Sequence, residues 1–263
     1  MTIDRRWQIA NQWLEDSQSK WMVFLCDAFE GMKLIPDESI DLIITDPAYE
    51  SLEKHRDSKA RIKKYERDKA AGKLNGTRIP RLRDWFEIMP NEKFPELLDQ
   101  YYRIMAENSH CYIFCDDETS DVIKTCVDAQ GKFKWWKRIV WDKMRRGQGY
   151  HYSNQHEFIV FLEKGKRKLN DFSYTSVLQC KRVSKKSLGG RYPGPAEKPV
   201  SLIEKLVLNS SNPGEIVFDS FLGRGATGVA AVSNEREFLG FDLDKKAVRI
   251  SRNRMRNIEV IKI

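Results

Sequence analysis

The strongest constraint on the fold is a rhythm. Short apolar runs alternate with stretches of helical spacing along nearly the whole chain. The runs fall at Trp21 to Leu25, Asp41 to Thr45, Cys111 to Cys115, Trp136 to Trp141, Phe158 to Leu162, Ile216 to Phe218 and Phe238 to Phe241. Helical spacing is read over Phe94 to Ala106, Glu118 to Ala129, Glu197 to Leu208, Gly225 to Asn234 and Asp244 to Asn257. Strands that are apolar throughout, rather than alternating, are buried on both faces. The pattern therefore predicts an α/β domain: a mixed, mainly parallel sheet with helices on both faces. The 263 residues are enough for one such domain with insertions, and 1–263 is read as a single unit.

Two regions break the rhythm. Residues 50–90 form a long basic inserted loop, and 164–195 a shorter basic segment, rich in Gly, Ser and Pro near its end. Ser51 to Arg83 holds twelve Lys and Arg against four Asp and Glu; Lys164 to Arg191 holds nine against one. The chain as a whole carries only +8, so the remaining body is acidic. Segregated positive charge suits a phosphate backbone, because salt-dependent affinity grows with the number of phosphates neutralised on one face. A nucleic acid is the expected partner.

The five cysteines are odd in number and include no CxxC pair, which points to a reduced, cytoplasmic protein without disulfides. Cys111 and Cys115 alternate along a strand-like run as small buried hydrophobes, so no metal site is expected. No long apolar run occurs, and the polar start of the chain is read as neither signal peptide nor membrane anchor.

Gly223, Gly225 and Gly228 satisfy GxGxxG, and Asp242 closes the next strand, 19 residues after Gly223. Glycines let the backbone approach a cofactor at a helix N-terminus, and a carboxylate can accept from ribose hydroxyls. NAD, FAD and S-adenosylmethionine all carry adenosine, so the pattern alone leaves the cofactor open. With 21 residues after Asp242, a second mononucleotide half would have to precede the first, which counts against NAD.

The run Asp41-Leu42-Ile43-Ile44-Thr45 leads into Asp46-Pro47-Ala48-Tyr49. Proline fixes φ and lacks an N–H, so the turn can present carbonyls outward. An aryl amine is a poor nucleophile because its lone pair is delocalised into the ring. The Asp46 carboxylate and a turn carbonyl, such as that of Pro47, could hold both N–H groups and favour a pyramidal nitrogen.

This tetrapeptide resembles the DPPY motif of amino-group DNA methyltransferases, with Ala48 in place of the second proline. Asp219-Ser220-Phe221-Leu222-Gly223-Arg224-Gly225 is similar to their cofactor loop. Cys26-Asp27, Trp141-Asp142-Lys143, Asn154-Gln155-His156-Glu157 and Glu197-Lys198-Pro199 resemble further family segments, in the order of the β class. Glu197 departs from the family's usual amide, and Arg191 to Ala196 does not match its usual lead-in.

The resemblance implies a Rossmann-like S-adenosylmethionine-dependent methyltransferase fold with circularly permuted motif order. It implies methyl transfer from S-adenosylmethionine to N6 of adenine in double-stranded DNA, on a base flipped out of the duplex. An acidic first motif residue favours adenine over N4 of cytosine. Asp46, Pro47 and Tyr49 are the expected catalytic residues. Asp27, Asp46, Lys198, Asp219, Phe221, Gly223, Gly225 and Asp242 are expected at the cofactor. Tyr49, His55, Arg56, Lys143, Asn154, His156, Glu157 and Arg191 are expected at the base or the DNA. The short 164–195 segment, in the family's target-recognition position, suggests low sequence specificity, as in a phage- or prophage-type enzyme. The resemblance also admits a homodimer. An NAD-dependent oxidoreductase and a DNA-binding protein without catalysis are the readings from other classes.

Overall fold

The structure, a computed structural model, describes residues 20–55, 67, 70–71, 87–147, 151–184 and 197–261. Among the described residues eight strands form one sheet: β1 (Trp21–Leu25), β2 (Ile40–Thr45), β3 (Met105–Cys115), β4 (Lys134–Asp142), β5 (His156–Lys164), β6 (Val177–Gln179), β7 (Ile216–Asp219) and β8 (Glu237–Asp242). Their spatial order is β1-β8-β7-β2-β3-β5-β4-β6. Only β5 runs against its neighbours, between β3 and β4.

Among the described residues six helices cover the sheet: α1 (Ala28–Lys33), α2 (Phe94–Ile104), α3 (Asp117–Gln130), α4 (Val200–Ser210), α5 (Ala226–Ser233) and α6 (Lys245–Ile261). Alternate side chains of each strand feed two separate cores. Met22, Phe24, Ile43, Cys111, Ile113 and Cys115 pack with α1, α2 and α3. Trp21, Val23, Leu42, Ile44, Tyr112 and Phe114 pack with α4, α5 and α6. This period-two division explains why the strands read as continuous apolar runs. Cys111 and Cys115 are core residues, and burial pushes both thiols well above their ordinary range.

Three elements depart from the sequence reading. The helix read to Ala106 ends at Ile104, and β3 starts at once at Met105; Glu107 and Asn108 near its start are polar and exposed and hid it. The six-residue α1 was not expected. It is capped by Asp27, whose carboxylate accepts from the Phe29 and Glu30 amides at 2.9 and 3.0 Å. β6 lies inside the region read as loop, because an edge strand of three residues carries almost no pattern.

The strand order places a topological switch between β7 and β2. From β7 the chain crosses through α5 to β8 on one side; from β2 it reaches β3 through α2 on the other. Such a switch leaves a crevice at the strand ends, where open α/β sheets bind ligands.

Candidate active site

β2 is central and wholly buried, so its end is a rigid platform. Asp46 is the next residue. Pro47 stops the ladder, and the Ala48 carbonyl accepts a hydrogen bond from the Met89 amide at 2.7 Å. Tyr49 forms a β-bridge with Met89, and the Glu50 carboxylate accepts from the Asn91 amide at 3.0 Å. The chain that leaves this turn for the basic excursion thus returns to the same turn. Ala48 supplies the carbonyl that fastens it.

Across the switch, β7 ends at Asp219. Its carboxylate accepts from the Thr45 hydroxyl at 2.9 Å, the Thr227 hydroxyl at 2.8 Å and the Phe221 amide at 3.1 Å. Burial still pushes its carboxyl up to about 7, against those hydrogen bonds. Ser220 meets the Tyr101 hydroxyl at 2.5 Å, tying the loop to α2. Gly223 (φ 53°) donates its amide to Asp242 at 2.7 Å, and Asp244 donates to the other oxygen of that carboxylate at 2.7 Å. Burial raises the Asp242 carboxyl above its ordinary value, against the amides that bind it. Gly225 (φ 75°) precedes α5; a side chain there would lie 2.8 Å from Ser251 of α6.

Both strand ends open into one cavity of about 930 Å³. Asp27, Asp46, Pro47, Tyr49, Glu157, Lys198, Asp219, Phe221, Gly223 and Asp242 all line it. Gly225 does not: it stands behind the loop and lets α6 approach. Lining residues that the sequence did not single out include Thr45, Glu87, Phe114, Leu243, Asp244 and Ile250. Thr45 and Asp244 adjoin motif residues and could have been found that way. Glu87 and Phe114 carry no local signal, because only the fold brings them to the strand ends.

One wall is a row of alternating charges. Lys198, 8% exposed, is in hydrogen-bond contact with Asp46, and its Nζ lies 3.5 Å from the Glu157 carboxylate. Lys143 binds the other Glu157 oxygen at 2.8 Å. Burial raises the Asp46 carboxyl, with Lys198 opposing. For Glu157 burial also works upward, but Lys198 and Lys143 outweigh it and hold the carboxyl below its ordinary value. Burial alone would neutralise Lys198; the two carboxylates outweigh it and keep the ammonium charged. Tyr49 is buried, and its hydroxyl is pushed far above the ordinary range, so it stays neutral.

The remaining expected residues are spread around this wall. Asn154 and His156 are exposed and do not line the cavity. Lys143 reaches the site through Glu157. Glu197, the departure from the family amide, lines the cavity and pairs with Arg254 of α6 at 3.3 Å. His55 ends the 3-10 turn Glu50–His55, but its side chain lies outside the described residues, as do Arg56 and Arg191.

The basic 164–195 segment is divided by the sheet. β5 is antiparallel, so Lys164 emerges at the edge opposite the cavity. There it is buried and donates to the Tyr102 and Met105 carbonyls at 3.0 and 2.8 Å. The chain passes the end of α4, where Asn170 and Asn209 are hydrogen-bonded, and returns along β6. Cys180 then binds the Asp142 carbonyl at 3.0 Å, which brings Lys181 and Arg182 to the cavity edge. Among its described cations, Lys164 is structural, and Lys181 and Arg182 follow β6 at the edge of the sheet on which the cavity opens.

The cavity has what an adenosine-bearing sulfonium requires. Apolar Phe221, Leu243 and Ile250 offer faces for a flat ring, Asp242 an acceptor for ribose hydroxyls, and Asp27 and Asp219 anionic neighbours for positive charge. No helix among the described residues is long and apolar enough to cross a membrane, and none of their His, Cys, Asp and Glu cluster as a metal site.

Known proteins agree with this geometry. The chain is 24% identical to the Type II methyltransferase M.HinfI of Haemophilus influenzae, over 89% of this chain and 67% of that one. It is also 24% identical to the DNA adenine methyltransferase YhdJ of Escherichia coli (strain K12), over 87% and 80%. The structure of the M1.HpyAVI–SAM complex superposes with a TM-score of 0.62 at 23% identity, covering 89% of this chain and 99% of that one. The PvuII cytosine-N4-specific DNA methyltransferase superposes at 0.63 with 13% identity, covering 92% and 91%. Residues 40–253 match the DNA methylase family, so the chain belongs to the S-adenosylmethionine-dependent DNA amino-methyltransferases that modify adenine N6 or cytosine N4.

Proposed function

We propose that the enzyme methylates N6 of adenine in double-stranded DNA, on a base turned out of the helix. The observation that carries this reading is the placement of Asp46 beside the Asp219–Gly223–Asp242 loop in one cavity. S-adenosylmethionine supplies an electrophilic methyl group when bound. Asp27, Asp219, Phe221, Gly223 and Asp242 would hold it, Asp219 as a carboxylate near its positive charge and Asp242 as an acceptor for ribose hydroxyls.

Asp46 accepts one N–H of the target amine. Since Ala48 spends its carbonyl on Met89, the second acceptor narrows to the Pro47 carbonyl. Together they orient the nitrogen lone pair along the line of transfer, which lowers the barrier by alignment and charge placement rather than by a covalent intermediate. Tyr49, neutral and packed on the turn, offers its ring face to the base. The buried position of Asp46 at the end of the central strand supports flipping, since a base stacked within a duplex does not present its amine to a strand end.

Adenine is supported by the acidic first residue of the motif and by the likeness to YhdJ. Recognition of a short site, with little base reading, is supported by the shortness of the basic 164–195 segment. The test is mass spectrometry of nucleosides from DNA of cells expressing the protein, beside an Asp46→Ala control. N6-methyladenine that disappears in the control supports the reading. N4-methylcytosine alone would replace adenine with cytosine, a base compatible with the PvuII-like fold.

A further inference from the structure

Lys198 stands between two carboxylates, and the resting arrangement gives it to the one that has to do the chemistry. It is in contact with Asp46 and 3.5 Å from Glu157. Three physical facts make that arrangement unsuited to methyl transfer. An ammonium on Asp46 occupies one of its two acceptor oxygens, Oδ2. It also weakens that carboxylate as an acceptor. Finally, the cofactor is a cation, and the attacked nitrogen gains positive charge as the methyl arrives, so a third positive charge at the same carboxylate opposes the reaction.

Glu157 offers a second seat. It lines the same cavity, stays ionised, and is fixed from behind by Lys143 at 2.8 Å. Glu157 also belongs to rigid β5, whereas Lys198 sits in the segment just before α4 and has a long side chain. The Lys198 ammonium also lies 5.3 Å from the centre of the Phe114 ring, a face along which a cation can pass without full desolvation.

We propose that Lys198 is a two-position counter-ion: it rests on Asp46 in the free enzyme and moves to Glu157 when the target amine enters. Glu157 and Lys143 are then positioning residues that act through Lys198. The proposal rests on Asp46 being the amine acceptor.

The test is the pH profile of kcat, measured at saturating cofactor, for wild type, Glu157→Gln and Lys198→Met, with cofactor affinity measured separately. Glu157 raises the Asp46 carboxyl and Lys198 lowers it, so the two variants have opposite signs. Glu157→Gln traps Lys198 on Asp46: kcat falls at least ten-fold, cofactor Kd stays within two-fold, and the acid limb moves to lower pH. Lys198→Met moves that limb to higher pH. The other titratable groups coupled to Asp46 are Lys143, the neutral Tyr49 and Cys115, and Asp219. Lys143 contacts Glu157 and lowers Asp46 as Lys198 does, so its release in Glu157→Gln adds to the shift toward lower pH, and it does not touch Lys198.

An acid limb that stays put in both variants, or a Glu157→Gln loss confined to cofactor binding, overturns the proposal. Failure of the underlying reading looks different: wild-type activity on DNA would then survive Asp46→Ala.

Discussion

The Thr45 hydroxyl donates to Asp219 at 2.9 Å, which joins the last residue of the catalytic strand to the first residue of the cofactor loop. The bond spans the switch between β2 and β7, so the two halves of the site cannot move independently without breaking a buried hydrogen bond. It also places a carboxyl with a value near 7 between them.

That value has a sign. Burial raises Asp219 from 3.8 to about 7, so between those pH values the folded state binds more protons than the unfolded one. Stability from this group is therefore full below about pH 4, falls as pH rises toward 7, and is level above it. At about 1.4 kcal/mol per unit, the loss is on the order of a few kcal/mol. A cationic cofactor favours the ionised form, so its affinity should rise as pH rises through 7. Calorimetry between pH 6 and 8 checks this. Affinity that stays flat in wild type, or still rises in Asp219→Asn, would refute it.

Asp46→Ala should reduce methyl transfer on the order of a hundred- to a thousand-fold, the range for removing one preorganised charge-stabilising group. Cofactor Kd should change by no more than a few-fold, because Asp219 and Asp242 remain. Single-turnover rates with titrated cofactor separate the two effects. Burial raises Asp46, so the acid limb of kcat should lie above the ordinary carboxylate range.

Met89→Pro removes the amide that fastens the Ala48 carbonyl at 2.7 Å. The turn then loses its anchor while every catalytic side chain stays. An orphaned carbonyl costs on the order of 1–3 kcal/mol if it remains buried. We expect kcat to fall while cofactor affinity holds. Ala48→Pro, by contrast, keeps the carbonyl and restores the family's residue, and should keep activity within about three-fold. Loss of activity in Ala48→Pro would show that the alanine is required here.

Gly225→Ala should destabilise the fold. It demands φ 75° of an L-residue and puts a methyl 2.8 Å from the Ser251 side chain. Strain of this kind costs on the order of 1–3 kcal/mol. For a domain of this size each kcal/mol lowers the melting temperature by roughly 2–4 °C. Since Gly225 backs the loop rather than lining the cavity, saturating cofactor should leave kcat near wild type at low temperature.

Much of this site was legible because its chemistry lies on contiguous residues. Asp46 to Tyr49 and Asp219 to Gly225 each carry strand end, turn and functional group in one stretch, so strand periodicity placed them. The same periodicity put Cys111 and Cys115 in the core. What stayed hidden depends on strand direction or long-range return. Nothing local says that Met89 comes back to Ala48, or that Glu157, at the start of β5, faces Lys198. His156 adjoins Glu157 yet is exposed, because a strand's side chains alternate and only the fold tells which face is inward; Asn154 is exposed in the chain before the strand.

The antiparallel turn of β5 yields the last prediction. Composition alone treats Lys164 to Arg191 as one basic surface. The structure sends Lys164, Lys166 and Lys168 to the edge away from the cavity and returns Lys181 and Arg182 to the edge beside it. A duplex whose base enters the cavity can touch only the second group. Each phosphate contact contributes about 0.9 to the slope of log K against log salt. Lys181→Ala with Arg182→Ala should therefore weaken DNA binding and flatten that slope by up to about 1.8. Lys166→Ala with Lys168→Ala should leave both unchanged. Equal losses from the two pairs, measured by salt titration of binding to one duplex, would mean that DNA wraps the far edge as well.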